Sequence, residues 1–348
     1  MMVAILALEA GCATVPKRVE PAAETFGIQK VGVSPKTFWP EKGEKTTIRW
    51  SQTRSAKTMV EIRREDGAVI RKFEGNYAEG DRTVAWDGKD DAGNFVDPGV
   101  YLYTIHSRDS RGQSALQDPS LTTGAEELKA EPFTFDKEKG RFEFVLPRAA
   151  RVRLRIGLKP FMHLRTFLNW EPMEAGWHTL DWDGLDESGW IRAIDHPNLS
   201  VNLAAFALAD NAILVEGDKK GKDGYSLRRP KSGFYLHAAH EGKDCRDTSF
   251  EVEFPDAKRN GENPPILDEK TLVRVTLKEA DKAFLINQRF EVMFFVDTVF
   301  LFEEEEGQDP FNYEWDTTGL APGEHLLTVN LVGYEDHLGV KTVRVTKR

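Results

Sequence analysis

Trp86-Asp87-Gly88 and Trp182-Asp183-Gly184 are the same triplet, 96 positions apart. Each follows a run that reads as a strand, Gly80 to Trp86 and Gly176 to Trp182. Each precedes a second turn signal, Ala92-Gly93 and Ser188-Gly189. A related phrase, Glu314-Trp315-Asp316-Thr317-Thr318-Gly319, lies near the C-terminus. A spacing of about a hundred residues is the length of one β-sandwich rather than of a short solenoid unit. The chain therefore reads as all-β, a tandem array of Ig-like or fibronectin-III-like β-sandwiches.

Working outward from the first triplet, residues 27–107 form the first module. Thr46-Thr47-Ile48-Arg49-Trp50 alternates, and so does Val60-Glu61-Ile62-Arg63. Asp66-Gly67 is a hairpin turn, and Ala68 to Phe73 is its return strand. Val100 to Ile105 is a further strand. Residues 108–127, with Gly112, Pro119 and Gly124, read as a linker. Residues 128–217 repeat the order, with strands at Arg141 to Leu146, Arg151 to Ile156, Gly176 to Trp182 and Leu199 to Leu208. Residues 218–247 form a basic linker carrying Lys219, Lys220, Lys222, Arg228, Arg229 and Lys231. A third module, 248–348, holds Leu272 to Leu277, a hairpin from Arg289 to Phe302 turning at Asp297-Thr298, and Thr342 to Val345.

The bulk properties agree. A chain of 348 residues accommodates two or three domains. Forty per cent hydrophobic residues are enough for packed cores. A net charge of −10 argues against a nucleic-acid binder, because phosphate contacts need a basic surface. The two cysteines, Cys12 and Cys245, exclude a disulfide scaffold. Residues 1–12 resemble the end of a bacterial lipoprotein signal peptide. Ala10 and Gly11 precede Cys12, the residue that would carry the lipid. Residues 13–26 then read as a polar tether. The leader departs from that pattern in its missing basic start and in Glu9, and an ordinary N-terminus with a chance cysteine remains the alternative.

The first two modules resemble the Ig-like domain of the flagellar hook-capping protein family. The matching residues of the first are Ser34-Pro35, Asp66-Gly67, Gly80 to Gly93 and Pro98-Gly99-Val100-Tyr101. The second keeps Trp182 to Gly189 but has Asp195-His196-Pro197-Asn198 in place of the Pro-Gly-Val-Tyr phrase. The third module resembles a bacterial Ig-like domain of adhesins, through Phe294 to Asp297, Tyr313 to Leu320 and Gly323 to His325. The resemblance implies a sandwich fold. It implies little about chemistry, because such modules serve as spacers, binding surfaces and assembly parts.

Trp86 and Trp182 are expected in the core, with Asp-Gly shaping the turn that follows and Asp90 and Asp186 capping the next one. Trp315 and Asp316 hold the matching place in the third module. Arg151, Arg153 and Arg155 share one face of a strand whose other face is Val152, Leu154 and Ile156. That arginine row is the candidate partner-binding surface, for an acidic polymer or for another envelope or extracellular protein. The alternative is neutralisation by an acid on the adjacent strand, for example Asp181. Glu303 to Glu306 reads as an acidic loop tip, open to a basic partner or a cation. His237, His240 and Cys245 do not complete a metal site, and Asp87, Asp90, Asp91 and Asn94 read as turn caps rather than calcium ligands. No cofactor or catalytic motif is present. These readings give a non-enzymatic, lipid-anchored scaffold of the bacterial outer membrane or cell surface, or else of the periplasm or medium. The competing reading is a carbohydrate-binding accessory protein serving a secreted enzyme, with Trp39, Trp170 and Trp190 as its candidate platforms.

Overall fold

The computed structural model describes residues 25–217, 247–258, 264–285, 290–333 and 337–348. They build three β-sandwiches, almost entirely of antiparallel strands. Cys12 and the trio His237, His240 and Cys245 lie outside the described residues, as does most of the basic linker.

In the first module, β1 (Ile28–Ser34), β2 (Thr37–Phe38), β3 (Thr46–Gln52) and β4 (Ala56–Arg64) come first. Then come β5 (Val69–Tyr77), β6 (Gly80–Trp86), β7 (Gly99–Asp109) and β8 (Ser114–Gln117). One sheet has the order β1-β3-β6, and β4 pairs with β5 and β7 in the other. The expected alternation holds: Ile48, Trp50 and Trp86 of one sheet face Val60, Ile62 and Ile105 of the other in one apolar core.

In the second module, β9 (Glu127–Leu128), β10 (Phe133–Asp136), β11 (Arg141–Leu146) and β12 (Ala150–Leu158) come first. Then come β13 (Met162–Met173), β14 (Gly176–Asp181), β15 (Leu199–Ala207) and β16 (Ala212–Val215). The sheets run β10-β11-β14 and β13-β12-β15-β9.

The last of these strands leaves its own module. Within the range read as the second module, β16 pairs antiparallel with Gly99–Leu102 of β7 and parallel with β2. Within the range read as a linker, β8 pairs with Ile105–Arg108 of the same β7. The exposed side of β7 is thus covered in two halves, by strands that lie on either side of the second module. An uncovered strand would leave a row of backbone N–H and C=O groups without partners, and the two strands supply them. Asn211 locks the return, donating from its side chain to the Tyr103 carbonyl at 2.8 Å and to Asp118 at 3.2 Å. Val100 and Leu102 pack there on Leu208, Ala209, Ala212 and Leu214.

The third module has β17 (Phe250–Glu253), β18 (Ile266–Leu267), β19 (Lys270–Leu277), α1 (Glu279–Leu285) and β20 (Phe290–Val296). It continues with β21 (Val299–Gly307), β22 (Phe311–Asp316), β23 (Gly323–Gly333) and β24 (Leu338–Lys347). Its sheets run β17-β19-β22 and β18-β24-β23-β20-β21. The hairpin turn falls at Asp297-Thr298, both with positive φ (48° and 71°). The seven-residue helix α1, about two turns long, is a feature that strand alternation does not signal. It is too short to show a helical period.

The repeated triplet is a core anchor followed by a built turn. Trp86 is fully buried, and Trp182 and Trp315 nearly so. The Trp86 indole N–H donates to the Lys89 carbonyl at 2.9 Å, and that of Trp182 donates to Leu185 at 2.7 Å. Asp87 accepts from the Lys89 amide, and Asp183 accepts from that of Leu185. Asp90 and Asp186 then accept from the Asn94 and Trp190 amides, both at 2.9 Å. Gly88 (φ 73°) has no room for a side chain, because a Cβ would lie 2.3 Å from Pro40. In the third module Asp316 accepts from the Thr318 amide and hydroxyl, with no left-handed glycine behind it.

Trp86→Ala is expected to destabilise its sandwich by about 3–5 kcal/mol, the usual cost of deleting a buried aromatic. Urea unfolding of the variant would show it, and a loss under about 1 kcal/mol would contradict a core anchor.

Candidate functional site

The two faces of β12 carry different chemistry. Val152, Leu154 and Ile156 enter the second core. Arg151, Arg153 and Arg155 stand on the opposite face, as the strand period requires. Arg151 and Arg155 on that face are buried, and Arg153 between them is half-exposed. Arg151 is 3% exposed and is held by Glu65 of the first module, which is equally buried. Nε donates to one carboxylate oxygen at 3.3 Å and Nη2 donates to the other. Nη1 donates to the Trp170 carbonyl at 2.9 Å. This bidentate pair is the geometry in which a buried arginine loses least on leaving water.

Arg153 stacks over the Trp170 ring at 4.9 Å and donates to Asn202 at 3.1 Å. Trp170 packs in turn on Phe206, with ring centroids 5.4 Å apart. Arg155, also buried, donates to Asp247 at 3.4 Å, just ahead of the third module. Two of the three arginines of the expected partner surface therefore form an internal clamp, with Arg151 and Arg155 closed to an acidic polymer and Arg153 half-exposed between them. Neutralisation does come from acids, but not from Asp181, which pairs with Arg141 at 2.6 Å on the other sheet. Glu65 sits beside the Asp66-Gly67 hairpin, where an acid in the sequence reads as turn chemistry.

The second and third modules meet through a different set of groups. The His163 amide donates to the Asn330 side chain at 2.6 Å, and Asn330 donates back to the His163 carbonyl at 2.9 Å. Thr342 donates to Asp186 at 3.1 Å, tying one of the repeated turns to the third module. Arg344 stacks on Trp190 at 4.2 Å. Met293 and Phe295 reach from β20 into the second core.

The aromatic candidates divide. Trp170 is buried in the clamp, Trp190 carries Arg344, and Lys42 sits over Trp39 at 3.3 Å. Trp177 was not singled out by the sequence. It is 58% exposed, the most open tryptophan among the described residues. Aligning the repeats would have found it, because Asp81 holds the same place in the first module.

Glu303 to Glu306 is not a loop tip: it is the second half of β21, an edge strand. Edge strands in folded proteins are often charged, which discourages pairing with other chains. Desolvation and the facing Glu303 and Glu305 raise the pKa of Glu291. Among the described residues, no cluster of His, Cys, Asp and Glu has the makings of a metal site. No helix among them is long and apolar enough to cross a membrane.

Comparison with known proteins covers part of the chain. Residues 36–111 match the family model of the FlgD Ig-like domain. No curated protein matches the chain. Among solved structures, FlgD of P. aeruginosa is 18% identical over 34% of this chain and 82% of its own, at a TM-score of 0.21. The fibronectin(III)-like modules of Clostridium thermocellum CbhA are 12% identical over 91% of this chain and 94% of theirs, at 0.21. A bacterial ice-binding adhesin is 11% identical over 93% and 98%, at 0.20. Likenesses at such TM-scores carry no functional argument.

Two predictions follow from the charges. Arg151→Ala strands a buried carboxylate and is expected to cost about 3–5 kcal/mol, whereas replacing Arg151 and Glu65 together by Met and Leu should be close to neutral. Denaturant midpoints of the single and double variants decide this, and a single variant as stable as the parent would mean the pair is solvated. The second concerns His325, which touches Asp297 at 2.6 Å and the Ala321 carbonyl at 2.8 Å. Desolvation lowers its pKa, but these two acceptors outweigh it, and the net shift is upward from 6.5. The charged ring thus adds stability that is fully present below pH 6.5 and is lost as pH rises through the raised value. Thermal melts from acid to mildly alkaline pH should show that decline, and His325→Asn should flatten it.

Proposed function

We propose that this chain is a non-enzymatic scaffold of the bacterial cell envelope or surface, tethered by a lipid on Cys12 and presenting its modules to an extracellular or envelope partner. The observation that carries this reading is the clamping of adjacent sandwiches. Buried polar contacts and a shared strand join the first two, and side-chain bonds with a shared core join the third. Independent beads on a string need none of these contacts. A body that must hold a binding face at a set distance and angle does. The match of residues 36–111 to an Ig-like family supports a role in binding or assembly. The Ala10-Gly11-Cys12 junction supports the anchor.

The test compares the full chain with Cys12→Ser in a bacterial host. The parent is expected in the membrane fraction, with a mass at Cys12 increased by acyl groups. Cys12→Ser is expected in the soluble fraction. A parent chain that stays soluble with an unmodified cysteine would overturn the anchored reading.

A further inference from the structure

The outer face of the β10-β11-β14 sheet holds a rung of side chains with no counterpart in the first module. Val145 pairs with Trp177 across β11 and β14, and the Val145 amide donates to the Pro132 carbonyl at 3.2 Å. Pro132, Val145 and Trp177 therefore stand side by side across the sheet. In the first module the rung at the same register is Ser51 and Asp81. Folding of this sandwich does not demand an aromatic there, since the first module builds the same rung with Ser51 and Asp81. No aromatic ring or cation of the described residues stacks on it. The next rung along the same face is Thr134, Glu143 and Thr179. The one beyond it is Asp136 with the paired Arg141 and Asp181.

We infer that this face is a binding surface for a neutral polysaccharide, with one sugar ring stacked on Trp177. This inference rests on the surface-scaffold reading and names its ligand. The C–H face of a pyranose is apolar and flat, and it sheds water when laid on an indole. Its edge hydroxyls need acceptors and donors beside the ring. Same-face residues on a strand lie about 6.6 Å apart, so Glu143 and Thr179 stand where the neighbouring hydroxyls fall. Size decides against a protein partner. Three strands at about 4.8 Å spacing give an apolar strip roughly 10 Å long. A stable protein interface covers about 800 Å² on each side. Charge decides against nucleic acid and acidic glycans: Arg141 and Lys139 are already taken up by Asp181 and Asp136, which leaves Glu143 unbalanced on this face of a chain of net charge −10.

The experiment is native electrophoresis of the full chain in gels containing hydroxyethylcellulose, galactomannan or glycol chitin. The parent should be retarded in at least one gel. Trp177→Ala should weaken that retention about tenfold or more, as loss of the central stacking contact requires. Phe161→Ala, which removes an exposed aromatic elsewhere on the module, should leave it unchanged. The double variant Val145→Ser with Trp177→Asp copies the first module's rung, so it should fold and fail to bind. A parent that runs freely in all three gels overturns the proposal, as does a Trp177→Ala variant retarded like the parent. Reducing ends released from a retained polymer would instead sink the non-enzymatic scaffold and leave the stacking surface standing.

Discussion

The open side of β7 is the constraint on which the arrangement of the first two modules depends. Backbone groups along a central strand must find partners, and the first module's own sequence supplies only half of them, through β8. The other half come from β16, after the chain has built an entire second sandwich. That return fixes the distance between the modules. It brings Leu208 and Ala209 against Val100 and Leu102. It also holds the outer face of the second module against the first, where Glu65 and Arg151 can meet. A buried guanidinium and carboxylate tolerate little displacement, so the ion pair reports how fixed this junction is.

The parts of the fold legible in the sequence are those set by local physics. Alternation along β3, β4, β11 and β12 identifies which residues enter the core, and Asp66-Gly67 and Asp297-Thr298 mark their hairpins. The triplet at Trp86 and Trp182 predicts buried rings and Asp-capped turns, and the indole and carboxylate bonds have that form. The pairing of β16 with β7 was not legible, because a four-residue apolar run carries no mark of which sheet will accept it. The short helix α1 shows no period for the same reason of length.

The arginine row shows the same limit at the level of a site. Strand period puts Arg151, Arg153 and Arg155 on one face, but it does not say what lies over that face. Three like charges in a row look like a grip for something outside. The chain itself provides Glu65 and Asp247 from elements remote in sequence. Trp177 is the converse. Its neighbours in sequence give no reason to single it out; its place opposite Asp81 in the repeat makes it stand apart, and the register against Val145 shows the face it occupies.

The shared strand has a consequence for the order in which the molecule is completed. During synthesis the first sandwich emerges with half of β7 bare, and it stays so until Val215 has left the ribosome. For that interval Gly99–Leu102 offers an open template to any extended peptide nearby, including the same segment of another copy. Closure then waits on a contact between strands more than a hundred residues apart, which makes it a late and slow step. The same dependence works in reverse. A chain cut between the second sandwich and Ala212 loses a strand of the first, so damage at one module is felt at its neighbour's edge.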